Sequence, residues 1–190
     1  MIIQIPKEVE QELKEDNENE SIQKRIDLIL KGHYQLKVAD VTSWYFRLNG
    51  FFTITDFVLH SSIRSEPGQR TDADLVGIRF PDRRELDFKD DKHFADLKIP
   101  VLAIVEVTKG VCKINGPWSK KEKKNINYLL ESLGLFDPKD LEKIAEALYK
   151  DCRYPGEFAH ALMFAVGKSK SSDLSREKPG VIQITTSEML

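Results

Sequence analysis

The run V-L-A-I-V-E-V-T-K-G after Pro100 constrains this chain more than any other feature. It is apolar on both faces as far as Glu106, so a strand built from it needs cover on both sides. Such a strand belongs in the middle of a sheet, and the flanking segments offer the partners and the cover. Y-Q-L-K-V-A-D-V-T-S-W-Y-F-R-L-N-G sets Val38, Val41, Tyr45 and Leu48 on one helical stripe and stops at Asn49-Gly50. F-F-T-I-T-D-F-V-L-H, rich in aromatic and β-branched residues, reads as a strand. After a polar loop holding Pro67-Gly68, T-D-A-D-L-V-G-I-R-F-P reads as a second strand, and residues 82–98 are a charged, irregular excursion.

Beyond the central run, Ser119 and Glu122 have the spacing of an S-x-x-E capping box. Ile126, Leu129, Leu130 and Leu133 follow at helical spacing, and Gly134 is the stop. Asp137-Pro138 caps a further helix with Leu141, Ile144, Ala145 and Leu148 on one face. E-F-A-H-A-L-M-F-A-V-G, bounded by Pro155-Gly156, reads as another buried strand. K-S-K-S-S-D-L-S-R-E-K-P-G reads as a mobile basic loop, and V-I-Q-I-T-T as a last strand. The order from residue 34 predicts an α/β or α+β domain over 34–190, built on a mixed sheet flanked by helices. The strand around 101–108 should be central and beside the strand around 72–80, with the helices at 34–48 and 119–133 packed on the sheet.

Residues 1–33 differ in character. E-V-E-Q-E-L-K-E-D-N-E-N-E holds seven carboxylates and no long apolar stripe, so it predicts an acidic helical or mobile arm. Ser21 then opens S-I-Q-K-R-I-D-L-I-L-K-G, whose partial apolar face ends at Gly32. A length of 190 residues accommodates one domain with such an appendage. No apolar run is long enough to span a bilayer, and Met-Ile-Ile-Gln-Ile-Pro is too short for a secretory signal. Two cysteines, Cys112 and Cys152, make neither a disulfide framework nor a four-cysteine zinc cluster, so a reduced, cytoplasmic setting is expected. With 29 basic and 31 acidic residues, the chain as a whole is no polycation. Nucleic acid would have to be met by a local basic patch.

The chemistry concentrates where strands lose their apolar character. In T-D-A-D-L-V-G-I-R-F, Asp72 and Asp74 share a strand face with Val76, Ile78 and Phe80. Glu106 shares a face with Leu102, Ile104 and Thr108. A carboxylate after five apolar strand residues is costly unless it is paired or holds a cation. Adjacent strands would converge Asp74 and Glu106 on a hard divalent ion such as magnesium or manganese, which takes carboxylate and water oxygens.

At these residues the sequence resembles the PD-(D/E)-x-K nuclease superfamily, the restriction-endonuclease-like fold. D-A-D-L-V-G-I answers the family's aspartate strand and I-V-E-V-T-K-G its Glu-x-Lys strand, within a stretch from the helix at 34–48 to the helix at 119–133. The resemblance implies a restriction-endonuclease-like mixed sheet, Asp74 and Glu106 as metal ligands, and Asp72 as an alternative or outer ligand. It implies a Mg2+- or Mn2+-dependent phosphodiesterase acting on nucleic acid, DNA in the first place, and leaves room for a homodimer.

The lysine departs from the pattern. Thr108 stands two residues after Glu106, and Lys109 one residue later points to the opposite face of a regular strand. A bulge before Gly110 would turn Lys109 inward, which makes it the first candidate. Lys123 extends the apolar stripe of Ile126 and Leu130 to the first turn of the helix and is the second.

Plainer readings stand beside these. Asp72 and Asp74 could solvate a strand entrance, and Glu106 could pair with Arg79 or Lys109. Lys120, Lys121, Lys123 and Lys124 could be an exposed first turn. Trp44, Tyr45 and Trp118 read as core or staple residues, His160 as a satisfied core histidine, and both cysteines as inert. The competing functional expectation is a catalytically inactive nuclease-fold protein that binds nucleic acid or a protein partner.

Overall fold

The computed structural model describes residues 37–60, 68–81, 90–95 and 97–190. The acidic arm expected over 1–33 lies outside the described residues, as do 34–36 of the first helix and most of the excursion after residue 81. Helix α1 (Val38–Leu48) precedes three antiparallel strands, β1 (Phe51–His60), β2 (Gln69–Arg79) and β3 (Val101–Val107). Helices α2 (Gly116–Ser119), α3 (Asn125–Leu133) and α4 (Leu141–Asp151) follow. The chain then adds β4 (Arg153–Pro155), β5 (His160–Gly167), helix α5 (Ser172–Glu177) and β6 (Ile182–Thr185). The six strands form one open mixed sheet in the order β1-β2-β3-β5-β4, with β6 also on β5.

β3 is central, between antiparallel β2 and parallel β5, as its two-sided apolar pattern demands. Val101, Ala103 and Val105 pack into a cluster with Tyr45 and Phe46 of α1 and with Phe94 and Phe164. Leu102 and Ile104 pack on the other face with Ile126, Leu129 and Leu130 of α3 and Ile144, Ala145 and Leu148 of α4. Helices thus cover both faces. Full burial of a side chain this size is worth about 1.5–3 kcal/mol, which makes β3 the anchor of both cores.

Four local expectations are corrected. The buried side of α1 is Thr42, Tyr45 and Phe46, while Leu48 and Trp44 are exposed. Phe46 takes the core position, where it meets Phe51, Phe94 and Phe164 edge-on. Ser119 makes no capping box. Pro117 starts the short α2 earlier, the chain then turns through Lys121–Lys123, and Lys124 adopts a left-handed conformation before α3 begins. The basic segment after residue 167 holds helix α5, whose Leu174 N–H is capped by the Ser171 hydroxyl at 3.1 Å. The short strand β4, which the sequence reading does not anticipate, pairs with the start of β5.

Candidate active site

The site lies where the β2–β3 pairing stops. The ladder runs from Arg79↔Val101 to Leu75↔Val105, so Asp74 and Glu106 are the next residues on the two strands. There the Asp74 carboxylate replaces a backbone acceptor: its Oδ2 accepts the Val107 N–H at 2.6 Å. A charge-assisted bond this short fixes the aspartate against the end of β3. The expected alternation of β2 breaks at this point. Val76 joins the cluster under α3 and α4 and Leu75 the cluster under α1, yet Ala73 also lies on the α3–α4 side. Phe80, expected to share the apolar face, is exposed.

The break has a cause on β1. Asp56 has φ 51°, a left-handed conformation uncommon for a residue other than glycine. Its neighbours Thr55 and Phe57 pair with Leu75 and Ala73, which sets Asp56 opposite Asp74. Phe57 packs on the α3–α4 side, whereas Phe51 on the same strand packs on the α1 side. Asp56 is therefore a fourth carboxylate near the site. One signal could have found it: an aspartate, disfavoured in strands, interrupts the run F-F-T-I-T-D-F-V.

Glu106 is the decisive residue. It is 1% exposed, on the face of β3 that holds Leu102 and Ile104, and its Oε2 has no hydrogen-bond partner. Burial pushes its pKa up to about 8, with the Asp74 charge adding to the rise and Asp72 contributing less. Asn115, just before α2, opposes this by hydrogen-bonding the carboxyl through backbone and side chain. Asp74 is raised as well, chiefly by burial and then by Asp72 and Asp56, against the lowering effect of the Val107 N–H.

The plainer partners are engaged elsewhere or turned away. Arg79 binds Asp90 at 2.7 Å and the carbonyls of Asn49 and Leu97. Lys109 is exposed in the bend after β3, and β3 ends at Val107, so no bulge within the strand turns this lysine inward. The Thr108 hydroxyl donates to the carbonyls of Val111 at 2.9 Å and Val166 at 3.2 Å, a structural task. Lys123 is exposed in the turn Lys121–Lys123, and its carbonyl accepts from Arg70 Nη2 at 2.8 Å. Asp72 is exposed, with its carbonyl accepting the indole N–H of buried Trp118 at 3.1 Å. Sequence and structure therefore bring Asp74 and Glu106 together, with Asp72 and Asp56 acting on them electrostatically; neither lysine is seen to touch them.

Among the described residues, no group of three or more His, Cys, Asp or Glu is gathered tightly enough to hold an ion by itself. What fits a cation is the donor chemistry: two hard carboxylates at one strand end, one of them with a buried, unpartnered oxygen. A cleft of about 800 Å³ lies at the opposite end of the sheet, where Pro100 leads into β3, and none of these carboxylates lines it. Both cysteine thiols are buried, and burial pushes Cys152 up to about 11, so neither is poised as a nucleophile. His160 has a buried Nδ1 without a partner, which corrects the expectation of a satisfied histidine. Among the described residues no helix is long and apolar enough to cross a membrane. No family model, no curated protein and no solved structure matches the chain.

Proposed function

We propose that this chain is a metal-dependent phosphodiesterase of the restriction-endonuclease-like kind, acting on nucleic acid and on DNA in the first place. The observation that carries the reading is Glu106: a carboxylate buried in the sheet beside a second carboxylate, with one oxygen unpartnered among the described residues. Ionised and unpaired, such a group costs several kcal/mol, so a proton or a cation must answer it, and a divalent ion is the partner we propose. The order of helix, three antiparallel strands, helices and a parallel strand supports the fold assignment.

Asp74 and Glu106 would hold Mg2+ or Mn2+, with Asp72 beside them. When bound, the ion supplies Lewis acidity at the phosphate and a lowered pKa for its water. The chain's own residues do the positioning. The Val107 N–H fixes Asp74, and Asn115 favours the charged form of Glu106. A lysine amine, from Lys109 or Lys123, would steady the charge that builds at phosphorus.

A second reading has its own observation. Thr108 occupies the family's lysine position with its hydroxyl committed to two backbone carbonyls, which favours a catalytically inactive nuclease-fold protein that binds nucleic acid or a protein. Cleavage assays on single-stranded, duplex and branched DNA with Mg2+ or Mn2+ decide between them, with Asp74→Ala as control. Activity lost in Asp74→Ala, and reduced roughly a hundredfold or more by alanine at Lys109 or Lys123, supports the enzyme. A wild-type protein that cleaves none of these forms with either metal leaves only the binding reading.

A further inference from the structure

We propose that residues 120–124 form a preset grip for the sugar–phosphate backbone of a nucleic-acid strand, held in register with the carboxylates by Arg70. The inference rests on the reading of the partner as nucleic acid, but not on cleavage.

The segment K-K-E-K-K puts four lysines and one glutamate on five exposed residues. Lys121 is engaged by Glu146 at 2.6 Å. Lys120, Lys123 and Lys124 have no ion pair among the described residues. Three unneutralised ammonium groups in so short a span repel one another, and Lys124 is in addition held at φ 53°. Ordinary helix capping does not explain the arrangement. The Ile126 N–H in the first turn of α3 is satisfied by the Tyr149 hydroxyl at 3.0 Å, and the side-chain amide N–H of Asn125 donates to the Pro117 carbonyl.

What fixes the turn is β2. Arg70 donates to the Lys123 carbonyl at 2.8 Å and to the Asn125 side-chain oxygen at 3.2 Å, with its guanidinium 4.5 Å over the Tyr128 ring. Two residues on, the Asp72 carbonyl receives the Trp118 indole. The lysine turn is thus bolted by Arg70 to the strand that carries Asp74, and the short α2 just before it is tied to the same strand by Trp118, on the sheet face under α3 where Glu106 also lies. Such a placement suits a backbone contact that sets a phosphodiester beside the carboxylates. It carries no base-reading geometry, so the contact is with phosphate and independent of sequence.

The test is binding of two unrelated fluorescent DNA duplexes and their single strands in EDTA, as a function of salt. For the triple variant Lys120→Ala/Lys123→Ala/Lys124→Ala we expect roughly a ten- to hundredfold loss of affinity and a salt slope flatter by about 2–3 on both duplexes. A control triple at Lys139, Lys143 and Lys150 removes the same charge elsewhere and should keep nearly wild-type binding. Arg70→Lys keeps the charge but not the forked clamp. It should weaken binding several-fold with the slope unchanged, an outcome that a purely electrostatic role for Arg70 would not give. The proposal is overturned if the wild type does not bind DNA, if the lysine triple binds as the wild type does, or if the control triple loses as much. Intact grip behaviour without cleavage in metal would defeat the enzymatic reading alone.

Discussion

The two ends of the β2–β3 pair each bury a charge, and they treat it in opposite ways. At one end Arg79, 3% exposed, spends its guanidinium on Asp90 and two carbonyls. At the other end Glu106, 1% exposed, has two further carboxylates acting on it and one oxygen with no partner. Structural burial of charge looks like the first end, where each buried group has an answer. The second end leaves its carboxylate to be answered by a proton or, as proposed above, by a cation from outside the chain.

The largest expected effect breaks the satisfied end. Arg79→Met strands Asp90 and the carbonyls of Asn49 and Leu97, and should cost roughly 3–5 kcal/mol in chemical denaturation. If the loss is under about 1 kcal/mol, Arg79 is not the structural counterpart described above.

Next comes the unsatisfied end, read through pH in the absence of divalent ions. The folded pKa of Glu106 lies near 8, above that of an ordinary glutamate, so the folded state binds its proton more tightly than the unfolded chain. The stability this supplies is complete below the ordinary glutamate value and is lost as pH rises through about 8. The upward shift of Asp74 adds in the same direction. The wild type should therefore lose on the order of 3 kcal/mol between pH 5 and pH 8.5. Glu106→Gln should remove most of that slope and be the more stable protein at pH 8.5. Parallel pH profiles for the two proteins would contradict the assignment.

A smaller effect separates the two sides of the site. Trp118→Phe keeps the ring in the core but removes the indole N–H donated to the Asp72 carbonyl. It should cost about 1 kcal/mol and raise hydrogen exchange at α2, with β3 unaffected. Exchange unchanged at α2 would mean that the indole bond does not hold α2 to β2.

How much of this was legible in the sequence depended on whether the signal was local. β3 and Glu106 were readable because a two-sided apolar run ending in a carboxylate has few other meanings. Gly134 as the stop of α3 was readable too, since its left-handed φ of 59° is a local demand. Asp56 was legible only as an odd aspartate in a strand run, because its importance comes from standing opposite Asp74 on another strand. The Ser119 box had the right spacing but lost to Pro117, in the first turn of a helix that begins at Gly116 and leaves Lys124 to make the turn. Helix α5, S-D-L-S-R-E, hid behind its serines and charged residues, with Leu174 its one buried apolar residue. The inward turn expected of Lys109 depended on a bulge, and β3 ends at Val107 before one can form.

The central claim is that Asp74 and Glu106 together answer their charge with a divalent cation. Isothermal titration calorimetry with Mg2+ and Mn2+ at pH 8, on the wild type, Glu106→Gln and Asp74→Ala, tests it most directly. The account predicts one site in the wild type and, in each variant, loss of binding by tenfold or more. No heat of binding in the wild type, or a site that survives Glu106→Gln unchanged, would contradict it.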